Sequence, residues 1–375
     1  MNMPADESEL NRCKDQQLKD YSSYDQTVDI VSCWQSLLTY SYENELVYFD
    51  RYPEMTENDL KPDFTALFGH EYGLVGEVKR TFPNDAVAFK KEIDQLVGYG
   101  SYTSFKSSLA GDRVTPTKHD VVLVLFSPSA VYEIAKRISE LIQKEGSADK
   151  CNLVILEGLN LTAEEIPRYV FRKIPTYNRA FRDDFLPYEK RFETCLGLNC
   201  KSFEVYPKHF LEYKIREVLC NDTPPPLYMA VFLWTKVLYD RLRDDQVDIW
   251  RRGSPQQIID VEVSADDLVE EINNQRLPSK GARRAWIING LEFLCEAGYA
   301  RRIDNDIYAV RYRNLSRMQE ADIGEDHKPD ERAWIREYCE RFAVDFCSRR
   351  GKQSRDTPLP RRVRHTQQKL EVAEK

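Results

Sequence analysis

The sequence predicts an α/β fold: a mixed central sheet flanked by helices, followed by a mainly helical second domain. Three observations carry that expectation. Between Tyr24 and Glu157, apolar residues switch between the spacing of helix faces and short unbroken strand runs. A triple proline, Pro224-Pro225-Pro226, then interrupts the pattern, since proline neither continues a helix nor donates to a sheet. Beyond it the periodicity is chiefly helical. At 375 residues, 42% hydrophobic and 31% charged, the chain has the composition of a folded protein with room for two cores.

Residues 1–22 are polar and acidic and are expected to form a flexible lead. From Tyr24 to Tyr42, the positions Val28, Val31, Trp34, Leu38 and Tyr42 mark one helix face. Phe64–Phe68 and Leu74–Lys79 read as the strands of a hairpin turning at Gly69-His70-Glu71-Tyr72-Gly73. A helix over 86–102, a buried strand over Val121–Phe126, an amphipathic helix over Val131–Lys144 and a second buried strand over Asn152–Glu157 complete the α/β layer. The stretch Tyr169–Tyr213, preceded by Arg168, is weakly patterned but rich in tyrosine and basic residues, among them Arg172 and Lys173. It reads either as a surface for bases and phosphates or as a solvated face over core aromatics.

The first domain is therefore assigned to 23–220, with a linker over 221–226. Over 227–313, helices are expected at Met229–Leu242, Ser264–Gln275 with Ser264 as N-cap, and Gly281–Ala297, stopped by Gly298. A hairpin of Tyr299–Ile303 and Ile307–Tyr312 follows. Residues 314–375 read as a helix over Glu331–Cys347 and a disordered tail, Arg349–Arg364 holding seven Arg/Lys against one Asp.

Chemistry concentrates in Pro62-Asp63, Glu77-Val78-Lys79 and the pair Gln95 and Tyr99. On a strand, Glu77 and Lys79 share one face and Val78 takes the other. The hairpin is centred near residue 70, so a regular ladder sets Asp63 opposite Glu77 with Cβ atoms about 5 Å apart. Two carboxylates that close stay ionised together only around a cation. Mg²⁺ or Mn²⁺ held there suits hydrolysis of a phosphodiester, with Lys79 at the rim to orient water. Gln95 and Tyr99, four apart on the next helix, share a face on which they can fix the lysine or a phosphate.

In that setting, Pro62-Asp63 followed by Glu77-Val78-Lys79 resembles the signature of the PD-(D/E)xK nuclease superfamily, and Gln95 with Tyr99 is similar to the glutamine–tyrosine motif of its RecB-type branch. The resemblance covers roughly residues 24–160. It implies a restriction-endonuclease-like fold and divalent-metal-dependent cleavage of nucleic acid, DNA being favoured. The metal ligands it implies are Asp63, Glu77, the Val78 carbonyl and an acid from the end of the first helix, Glu43 or Glu45. Some RecB-type members carry a cysteine-ligated iron–sulfur cluster, but Cys195, Cys200 and Cys220 do not match its spacing. The alternative is a non-catalytic DNA-binding or assembly protein that keeps a degenerate nuclease fold.

The three helices and β-ribbon of 227–313 resemble a winged helix. Lys280, Arg283 and Arg284, at the start of its third helix, are candidates for nucleic-acid contact, and a protein partner is the competing reading. Formal charge divides as −9 over 1–226, −1 over 227–313 and +2 over 314–375, which excludes a generally basic nucleic-acid coat. No apolar run approaches the length of a bilayer span, and no secretion signal opens the chain. A cytoplasmic protein with no membrane contact is expected. Nine scattered cysteines without a CxxC pair are expected to be reduced.

Overall fold

The computed structural model of the chain describes residues 5–41, 45–53, 60–69, 72–108, 110–126, 130–146, 153–160, 169–174, 202–205, 223–247, 258–275, 282–312 and 331–356. Its centre is a mixed sheet of order β1-β2-β3-β6-β7-β8-β9. These are β1 (Leu46–Arg51), β2 (Phe64–Phe68), β3 (Tyr72–Lys79), β6 (Lys118–Leu125), β7 (Leu153–Asn160), β8 (Tyr169–Lys173) and β9 (Ser202–Val205). The outer pairs are antiparallel, whereas β3, β6 and β7 run parallel. A small ribbon of β4 (Phe105–Lys106) and β5 (Arg113–Val114) stands beside it.

The unbroken apolar run of β6 follows from cover on both sheet faces. On one face, α2 (Ala86–Gly98) and α3 (Val131–Glu145) bury Phe89, Ile93, Leu96, Ile134 and Ile138 against Leu67, Val75, Leu123 and Ile155. Asp85 starts α2 by accepting the Val87 and Ala88 amides at 3.0 and 2.9 Å. On the other face lies α1 (Ala5–Ser41), whose Trp34 stacks on Phe64 at 5.5 Å between centroids, while Phe64 stacks on Phe49 at 5.2 Å. Phe64 lies flat across β3 because position 76 is glycine: a Cβ there would sit 2.1 Å from the ring.

The C-terminal unit begins with α4 (Pro226–Phe232), continued by a π-helical turn (Leu233–Val237) and a last turn (Leu238–Asp240). It continues with β10 (Ile259–Ser264), α5 (Ala265–Gln275), α6 (Arg284–Ala297), β11 (Ala300–Arg302), β12 (Ile307–Tyr312) and α7 (Glu331–Asp356). The strands form an antiparallel sheet of order β10-β12-β11. Ser264 Oγ accepts the Asp267 amide at 3.4 Å, the cap that the sequence predicts. Gly298, at φ +83°, closes α6 with its N–H turned back to the Leu294 and Cys295 carbonyls.

Four expectations are corrected. The lead is helix from Ala5, because Leu10, Cys13, Leu18 and Tyr21 pack against apolar residues remote in sequence. The apolar core is continuous from α1 through α4, α6 and α7, with the Tyr24 and Tyr228 rings 4.5 Å apart, so Pro226 opens a buried helix rather than separating two cores. The thiols are not all reduced: α1 and α7 lie side by side and Cys13 is disulfide-bonded to Cys347, 334 residues away. Cys33, Cys295 and Cys339 are not disulfide-bonded, and the other cysteines lie outside the described residues. Finally, α7 extends to Asp356, into the segment expected to be disordered, while 357–375 lie outside the described residues. Among the described residues no helix is long and apolar enough to cross a membrane.

Candidate functional site

The β2–β3 ladder pairs Phe64 with Gly76, the register that centres the hairpin on residue 70. Beyond that pair it departs from regularity. The Asp63 N–H donates to the Gly76 carbonyl at 2.9 Å, and the Asp63 carboxylate reaches over the strand end, Oδ2 accepting the Val78 N–H at 2.7 Å. Val78 thus meets Asp63 through its amide, where the resemblance implied a role for its carbonyl.

Glu77 and Lys79 point from β3 toward α2, as their alternation requires. Glu77 is 4% exposed. Its Oε1 lies 2.8 Å from Lys79 Nζ, and its Oε2 accepts the Tyr99 hydroxyl at 2.8 Å. The Tyr99 oxygen in turn accepts Gln95 Nε2 at 2.6 Å. Gln95 and Tyr99 therefore share one face of α2 and its terminal turn, and act as a relay onto the buried carboxylate. Two residues join that the sequence reading did not place in the site. Glu92, one turn before Gln95, holds Lys79 Nζ at 2.7 Å from its Oε2. His119 on β6 reaches the Tyr99 carbonyl at 2.8 Å through Nε2, which must carry the proton because a carbonyl only accepts. Glu92 was legible as position i−3 on the face already chosen. His119 was not, since its contact depends on how β6 packs against the turn after α2.

Burial sets the electrostatics. Desolvation raises the Glu77 carboxyl above the ordinary range, against the opposing pull of Lys79 and the Tyr99 hydrogen bond. Lys79 also loses solvation, but Glu77 and Glu92 outweigh that loss and hold its ammonium firmly protonated. The Tyr99 hydroxyl is raised by burial and by Glu77, which keeps it a neutral donor. Burial lowers His119, consistent with a neutral ring.

Other candidates fall elsewhere. Glu45 stands at the opposite end of the β1–β2 pair, its carbonyl accepting the Gly69 amide at 3.0 Å. Six residue steps along the strand separate that level from Asp63, about 20 Å, so Glu45 does not join the site. Glu43 and Lys280 lie outside the described residues, as does most of Tyr169–Tyr213. Arg283 is exposed and lies over the Trp286 ring at 5.4 Å. Arg284 is engaged by Asp266 at 2.7 Å and by Asp306.

Among the described residues no group of three His, Cys, Asp or Glu is gathered to hold a metal. Asp63 and Glu77 nevertheless fit Mg²⁺ or Mn²⁺ by donor type. Both are carboxylates, and Mg²⁺ is commonly held by one or two of these with water and substrate phosphate. Lys79 and Tyr99 take one lone pair from each Glu77 oxygen, which leaves acceptor capacity on both. No protein family, curated protein or solved structure matches this chain.

Proposed function

We propose that the protein is a divalent-metal-dependent nuclease of the PD-(D/E)xK type, hydrolysing phosphodiester bonds in nucleic acid, with DNA the favoured substrate. The observation that carries this reading is the assembly of Glu77, Lys79, Gln95 and Tyr99 into one hydrogen-bonded chain at the strand end that Asp63 caps. A merely decorative set of surface charges has no reason to bury Glu77 or to give each of its oxygens a partner. The sheet order, with a hairpin leading into parallel β3 and β6, is compatible with a restriction-endonuclease-like fold.

Asp63 and Glu77 would hold the metal, which supplies charge neutralisation at the scissile phosphate and a water of lowered pKa. The protein's own groups do the rest. Lys79 presents a fixed positive charge at the rim. Tyr99 and Gln95 hold Glu77 in one orientation, and His119 holds the backbone of Tyr99.

One observation favours the non-catalytic alternative: Lys79 is already bracketed by Glu77 and Glu92, an arrangement that a decayed site would share. The C-terminal unit, whose element order resembles a winged helix, fits better as a protein-docking or assembly element than as a reader of nucleic acid. Its α6 is packed against α4 and α7, and Arg284 is neutralised within the unit. The test is incubation of labelled single-stranded DNA, duplex DNA and RNA with Mg²⁺, Mn²⁺ or EDTA. Cleavage that requires the metal and is lost in Glu77→Ala supports the enzyme. Binding without cleavage under every condition supports the alternative.

A further inference from the structure

Strand pairing defines a row across the sheet that ends far from the carboxylates. Lys79 on β3 pairs with Leu125 on β6, Leu125 with Glu157 on β7, and Glu157 with Arg172 on β8. Register partners share a face, so Arg172 stands on the same face and at the same strand end as Lys79. Glu157 is 3% exposed, yet the Arg172 side chain remains 44% exposed. Arg172 donates Nε to Glu157 Oε2 at 2.8 Å and Nη2 to the same oxygen, so one edge of the guanidinium is anchored. Three of its five N–H groups carry no bond to a described residue. A cation needed only to neutralise Glu157 would gain most by turning inward. This one is pinned at one edge and offers the other to solvent.

We infer that Arg172 is a phosphate-binding residue, gripping a backbone phosphate of the strand whose scissile phosphate lies at Lys79. Three strand spacings separate the two positions, about 14 Å, a few nucleotides along a nucleic-acid strand. Glu157 acts as its positioning residue, fixing a planar fork that suits the bidentate geometry of a phosphate. The inference rests on the nuclease reading for what sits at Lys79, but not for the phosphate contact itself.

The test compares the full-length wild type, Arg172→Lys, Arg172→Gln and the double variant Arg172→Gln/Glu157→Gln, using a short fluorescein-labelled DNA strand. The double variant leaves no buried unpaired carboxylate, so it folds where Arg172→Gln alone fails. Loss of the guanidinium should raise Kd and KM about tenfold with kcat nearly unchanged, and reduce the slope of log Kd against log salt by about one. Arg172→Lys should keep the salt slope but lose part of the affinity. A folded double variant with wild-type Kd, KM and salt slope overturns the inference while leaving a cutting enzyme intact. If the wild type cuts nothing but the variants still lose affinity and slope, the phosphate contact stands and the catalytic reading falls. If the wild type neither binds nor cuts, both fall.

Discussion

The α2-side face of the central sheet and the C-terminal unit treat charge in opposite ways. On the sheet, two buried carboxylates gather partners: Glu77 takes Lys79 and Tyr99, Lys79 takes Glu92, and Glu157 takes Arg172. In the C-terminal unit Arg284 with Asp266 and Asp306, and Arg302 with Glu292, sit near solvent and cancel in pairs, and only Arg241 with Glu271 is more enclosed among these pairs. Burying charge costs free energy unless the groups are well paired and hydrogen-bonded, whereas exposed pairs cost and contribute little. Under the proposed function, the contrast fits chemistry on the sheet and docking at the C-terminal unit.

The largest break should come at Glu77. Glu77→Ala is expected to lower cleavage to below about one thousandth of wild type, roughly 4 kcal/mol of lost transition-state stabilisation, with nucleic-acid binding retained. Retention of activity, measured by single-turnover cleavage, removes the chemistry from this face.

Next in size is a buried charge outside the site. Asp50 on β1 is 3% exposed, its Oδ1 has no hydrogen-bond partner among the described residues, and burial raises its carboxyl from 3.8 to about 6 against the pull of Lys106 and Arg113. A raised folded-state pKa means that the native state holds the proton more tightly. The stability it contributes is complete below 3.8 and is lost as pH rises through about 6. Asp50→Asn should therefore stabilise the protein at pH 7 and above by about 2–3 kcal/mol at most, with the gain vanishing in acid. Denaturant unfolding at several pH values reads this directly, and an acid-side gain would contradict it.

Glu92→Gln is the subtler probe of convergence. Without Glu92, Lys79 keeps only Glu77 as an anionic partner, so its proton affinity falls. Lys79 stays protonated under assay conditions with Glu77 alone, so the expected effect is on its placement: kcat down about tenfold with KM nearly unchanged. An unchanged kcat would leave Glu92 a packing residue. At the small end, Arg284→Ala should change nucleic-acid affinity by less than about twofold, because that guanidinium is already neutralised. A large loss would return α6 to the nucleic-acid interface and erase the contrast.

Much of the site was legible before the fold was known. The strand alternation put Glu77 and Lys79 on one face, the symmetry of the hairpin brought Asp63 to the same strand end, and helical spacing joined Gln95 to Tyr99. Each is a relation between residues within one element or across one tight turn. What failed was of another kind. Glu45 looked eligible by its place in the order of elements, but the unanticipated β1 carries it to the wrong end of the sheet. The Glu157–Arg172 pair needed the antiparallel pairing of β7 with β8, and His119 needed the stacking of β6 beside the turn after α2.

By itself, the sequence determined the local periods and punctuation: the hairpin register, the strands β3 and β6, the cap at Ser264, the stop at Gly298, and the cluster of titratable groups around Glu77. Only the tertiary structure decided that residues 5–22 are helix, that Cys13 meets Cys347, and that the triple proline leads into a shared core. The physical reason is the same in all three. Propensity and spacing act over a few residues, whereas these features depend on apolar packing and a disulfide between segments up to 334 residues apart, which local patterns do not encode.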